Sequence, residues 1–154
     1  MELTQYLDRS YTAYHAVANA AAYLAERGFV LLNETEPYRI EAGKRYFIVR
    51  DGSALIALSV GNRKTFRFAA SHTDSPAFKV KGDAVATVEA YCKLNVEKYG
   101  GGLFYSWLDR PLSVAGRVLV ETESGIESRL VHPDRAVACI PNLCIHFNRD
   151  LNNG

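Results

Sequence analysis

Residues 65–81, TFRFAASHTDSPAFKVK, constrain the fold more than any other stretch of this chain. Phe66 to Ser71 is almost all apolar or small, the pattern of a strand buried on both faces rather than one. With a helix and sheet expected before Gly82 and a mainly β unit after it, the chain reads as a mixed α/β fold. The Phe66–Ser71 run then delivers His72, Thr73, Asp74, Ser75 and Pro76 to the strand end.

A histidine and a carboxylate two residues apart suit a metal site. Imidazole is a good zinc ligand, and a nearby carboxylate can accept the second ring proton and fix the tautomer. The other reading of the same residues is a turn in which Asp74 and Ser75 bond the local backbone. Both readings stand on the residues alone. A catalytic zinc needs about three protein ligands and a structural one about four, so His72 requires company from elsewhere.

The 154 residues are 48% hydrophobic and 23% charged, enough for a sizeable core. The net charge of +1 gives no reason to expect nucleic acid or an anionic membrane as partner, since these usually demand a basic patch. Arg63 with Lys64, and Lys79 with Lys81, read as solvated surface. The sequence has no apolar run of about 18 residues, and its start lacks the charged-then-apolar order of a secretion signal. A cytoplasmic location is therefore expected. Cys92, Cys139 and Cys144 are odd in number, form no CxxC pair and lie in apolar settings, as reduced, inert thiols do.

Apolar residues at Tyr14, Val17, Ala18, Ala21 and Leu24 predict a helix from Ser10 to about Arg27, with Gly28 as its left-handed cap. Phe29–Leu32 is a short apolar run. Lys44–Arg50 and Ala54–Val60 flank Asp51 and Gly52, a hairpin signal. After Pro76 the chain reads as mainly β, with apolar runs at 84–94, 114–122 and 126–132. A boundary near Gly82 is expected.

In YGGGLFYSWLDRPLSVAGR, residues 99–117, the three glycines suit either a flexible loop or a close backbone approach. Trp107 beside Asp109 and Arg110 allows a structural ion pair under an aromatic lid, with packing the default reading for all three. His146 should alternate with Ile145 and Phe147 on a strand, with Ile145 buried. The sequence assigns no role to His15 or His132.

YHAV at 14–17, RGFVLLNE at 27–34, SHTDSPAFKVK at 71–81, YGGGLFYSWLDRPLSVAGRV at 99–118 and IPNLCIHFNRDLNNG at 140–154 occur in that order. Together they resemble the M18 metalloaminopeptidases, which include the aspartyl aminopeptidases. The lead into YHAV departs from the family's Ser-Pro-rich pattern, with Ser10, Tyr11, Thr12, Ala13 and Tyr14 in its place. The resemblance implies a two-zinc exopeptidase acting on peptides with a free N-terminus. His72 would match a first zinc ligand and Asp74 the catalytic carboxylate that orients it. His146 would match a substrate-contacting histidine that reaches a neighbouring subunit, so a homo-oligomer is implied.

The family's remaining ligands and its glutamate base come from later sequence. The chain is accordingly expected to correspond to the first third of such an enzyme and to be inactive alone. Residues 1–82 would open the catalytic α/β domain, and 83–154 would begin an inserted β-rich oligomerisation domain. Uncovered strands around Phe66–Ser71 would then promote self-association. Two alternatives remain: a non-catalytic oligomerisation or binding module derived from an M18 peptidase, and a different metal site built from the four histidines and nearby carboxylates.

Overall fold

The computed structural model describes residues 1–62 and 65–152, so the expected Arg63–Lys64 surface pair lies outside the described residues. In chain order the elements are α1 (Leu3–Arg9), α2 (Ala13–Ala25), β1 (Val30–Leu31), β2 (Arg45–Arg50), β3 (Ala54–Ser59), β4 (Ala77–Val88), β5 (Tyr91–Tyr99), β6 (Gly116–Thr122) and β7 (Gly125–Val131). Short 3₁₀ turns occupy Phe104–Trp107 and Arg149–Asn152. The fold is mixed α/β, as the sequence predicts.

Contacts divide the chain into two compact units, Met1–Asp74 with Ala115–His132, and Ser75–Val114 with Pro133–Gly154. The expected boundary at Gly82 instead falls within β4. A single cut cannot describe this division, because β6 and β7 return to the first unit.

In the first unit the sheet order is β1-β2-β3, with β1 parallel and β3 antiparallel to β2. Tyr46 and Phe47, neighbours on β2, are 3% and 4% exposed. Successive strand residues point to opposite faces, so β2 is covered on both sides. Against this strand the apolar stripe of α2 buries Ala16 and Val17. The Thr12 side chain accepts from the His15 N–H at the start of α2, and Gly28 at φ +75° follows its end. Asp51 and Gly52 both take positive φ in the β2–β3 turn, as the Asp-Gly signal predicts.

The β6–β7 hairpin is tied to this unit by Arg117. Its Nη1 donates to the Asp51 carbonyl at 2.9 Å, and its guanidinium lies 4.3 Å from the centre of the Tyr14 ring. Helix α1 is absent from the sequence-based expectation. The Glu2 N–H donates to Gln5 Oε1 at 3.1 Å, an N-terminal cap whose spacing is visible in the sequence.

The strand expected at Phe66–Ser71 is not formed. A strand is held by its ladder, and among the described residues none supplies that segment with a backbone partner. Phe66 and Phe68 are consequently 85% and 90% exposed.

In the second unit β4 and β5 form a long antiparallel ribbon with a register shift between Val80 and Val85. The apolar run at 84–94 is not one strand. It crosses the turn at Glu89 and Ala90, with Glu89 at φ +52°. Phe78 packs against Phe104 and edge-on to Trp107, with ring centres 4.9 and 5.3 Å apart. Beside them Pro76 lies against Gly100 and Gly102. A Cβ on Gly102 would fall 2.9 Å from the Pro76 Cβ. Close approach, not flexibility, accounts for that glycine.

Candidate metal-ligand site

His72 and Asp74 sit after β3, on a segment with no regular secondary structure, in the first unit. Thr73 anchors it by donating its hydroxyl to the Ser53 carbonyl at 2.8 Å, in the β2–β3 turn. Flanked by that anchor, the His72 ring folds back on its own chain. Nδ1 lies 2.9 Å from the Asp74 carbonyl oxygen and 3.0 Å from Asp74 Oδ1.

Both of these partners accept. The proton of a neutral imidazole is therefore held on Nδ1, and the lone pair is left on Nε2. The His72 side chain is 80% exposed, so Nε2 is accessible. This is the arrangement in which a histidine ligates a metal through one nitrogen while a carboxylate fixes the other. The residues present fit zinc as one ligand with its orienting group. Among the described residues no three His, Cys, Asp or Glu side chains gather into a metal-holding group.

His146 lies in the second unit and is exposed. It does not alternate on a strand. Ile145, His146 and Phe147 form a turn closed by the Phe147 N–H on the Cys144 carbonyl at 2.9 Å. Ile145, expected to be buried, is 48% exposed because a turn has no covered face to offer it. The three thiols are free, as expected, but they are exposed rather than buried among apolar neighbours.

Sequence reasoning missed two further arrangements. Asp109 does not pair with Arg110. Its Oδ1 accepts the Asn142 N–H at 2.9 Å, which ties the glycine-rich motif to the segment before His146. In the first unit Tyr11 stacks on His132 with ring centres 3.6 Å apart and meets His15 edge-on at 5.4 Å. Burial, and then the neighbouring His132, lower the pKa of His15 below its ordinary value.

Residues 6–154 match the family described as Aminopeptidase I zinc metalloprotease (M18). The chain belongs to the M18 family. A probable M18 family aminopeptidase 2 of Clostridium novyi is 42% identical over 160 residues, covering 99% of this chain and 37% of that protein. The aspartyl aminopeptidase of Dictyostelium discoideum is 41% identical over 156 residues, covering 98% of this chain and 32% of its own. Among solved structures, the Saccharomyces mApe1 dodecamer superposes with a TM-score of 0.79 at 30% identity, covering 90% of this chain and 34% of that one. This M18 chain thus spans about a third of the length of the relatives it matches.

Proposed function

We propose that this chain contributes the first metal ligand of a zinc-dependent aminopeptidase site acting on peptides with a free N-terminus. The observation that carries the reading is the His72 ring, pinned at Nδ1 by Asp74 and open at Nε2, in a member of a zinc metalloprotease family. His72 would hold one of the two zinc ions expected of such a site. When bound there, zinc supplies Lewis acidity for the scissile carbonyl and a water acidified toward neutral pH. Asp74 keeps the imidazole in the ligating tautomer and raises its basicity. His146 contacts substrate from its exposed turn.

The oligomerising role expected of residues 83–154 is assigned in this proposal to the β4–β5 ribbon. Val80, Val85 and Tyr91 of that ribbon are exposed, and a related M18 protein is a dodecamer. Those observations also favour a second reading, in which the chain serves assembly without catalysis. A cytoplasmic location belongs to the proposal, and no helix among the described residues is long and apolar enough to cross a membrane.

The test is a chimera in which these residues replace the matching part of the Clostridium novyi relative. It is assayed with zinc on aspartyl, glutamyl and leucyl chromogenic amides. Hydrolysis that disappears in His72→Gln and falls sharply in Asp74→Ala supports the catalytic reading. Hydrolysis indifferent to both changes overturns it. The 154-residue chain alone is expected to be inactive, since one ligand with its orienter falls short of the roughly three that a catalytic zinc requires.

A further inference from the structure

We propose that Asp109 is a positioning residue that holds the segment presenting His146. The inference rests on the reading of His146 as a substrate-contacting residue, and it names what sets that histidine's place.

Asp109 takes φ +54°, a left-handed conformation that is uncommon outside glycine but tolerated by aspartate. Two hydrogen bonds hold it there. Its N–H donates to the Ile140 carbonyl at 2.9 Å, and its Oδ1 accepts the Asn142 N–H at 2.9 Å. Backbone and carboxylate therefore grip the same short segment two residues apart.

The surrounding bonds run in one direction along the chain. Leu112 and Ala138 form a bridge, Leu108 and Ile140 form another, and the Asn142 side chain donates to the Tyr105 hydroxyl at 3.4 Å. Asn142 Oδ1 accepts the N–H of Leu143 at 2.8 Å, and the chain enters the turn that carries His146. The carboxylate of Asp109 is thus a charged contact at the start of the stretch that leads into that turn. An ionised acceptor makes a stronger hydrogen bond than a neutral one, so removing it should release the segment from Asn142 onward.

Amide hydrogen exchange of the 154-residue chain tests this without substrate or metal. In Asp109→Ala the amides of 142–147 should exchange about tenfold faster, a local opening, while those of β2 and β3 keep their wild-type rates. Asp109→Gly accommodates the backbone conformation but lacks the carboxylate, and it should show the same local rise. Asp109→Asn retains an acceptor oxygen and should restore most of the protection.

Wild-type exchange at 142–147 in Asp109→Ala overturns the proposal. So does a rise of equal size throughout β2–β5, which would mark Asp109 as a general stabiliser, or a failure of Asn to rescue. A failed substrate role for His146 is read separately, from an unchanged KM of His146→Gln in the chimera.

Discussion

Asp74 meets the His72 ring nitrogen Nδ1 twice, through its backbone oxygen at 2.9 Å and its carboxylate at 3.0 Å. The backbone contact survives any substitution at position 74, whereas the carboxylate contact does not. Asp74→Asn in the chimera should accordingly leave the His72 tautomer biased but weaken zinc binding by about 10–100-fold, the usual cost of losing such an orienting group. Zinc competition against a chromogenic chelator measures it, and an unchanged affinity would remove Asp74 from the site.

Gly102 has no room for a side chain. A Cβ there would lie 2.9 Å from the Pro76 Cβ, a carbon in a rigid ring. Gly102→Ala should destabilise the chain by about 1–3 kcal/mol through overpacking, whereas Gly101→Ala, with nothing within 4 Å of its Cβ, should cost far less. Urea melts of the two variants make the comparison.

Thr12 caps α2 by accepting from the His15 N–H, and its hydroxyl lies 2.8 Å from His15 Nδ1. Thr12→Ala should lower stability by about 1 kcal/mol. The same melts check it, with Thr12→Ser expected to recover most of the loss.

His15 sets a pH dependence. Its folded pKa lies below the ordinary 6.5 because burial, and then His132, disfavour the charged ring. Above 6.5 the ring is neutral in both folded and unfolded chains and imposes no penalty. As pH falls through 6.5 the unfolded chain binds the proton first, so stability drops until the folded pKa is passed and then levels off. His15→Gln should flatten that drop in melting temperatures taken between pH 7.5 and 5. His132→Gln should reduce it only in part, burial being the larger cause.

Much of this was legible in the sequence. The alanine-rich stripe of α2 and the Asp-Gly turn are local signals, and local physics satisfied them. The failures share a cause in tertiary context. Phe66–Ser71 has a strand's composition, but composition does not create a ladder partner. His146 and Ile145 have a strand's alternation, yet the neighbouring bonds close them into a turn. The roles of Gly102 and Asp109 depend on Pro76 and Asn142, which lie 26 and 33 positions away in the chain. A sequence read one window at a time does not bring such pairs together. For the candidate site the pairing of His72 with Asp74 was visible at a separation of two, which is why it could be read at all.

The most direct test of the central claim is a long-range proton–nitrogen NMR spectrum of His72 at neutral pH, recorded in the 154-residue chain for the tautomer and in the chimera with and without zinc for ligation. The account predicts a ring protonated at Nδ1, an Nε2 signal that shifts on adding zinc, and a tautomer preference that weakens in Asp74→Gly, where only the backbone contact is left. A ring protonated at Nε2, or an Nε2 signal indifferent to zinc, would contradict His72 as the ligand.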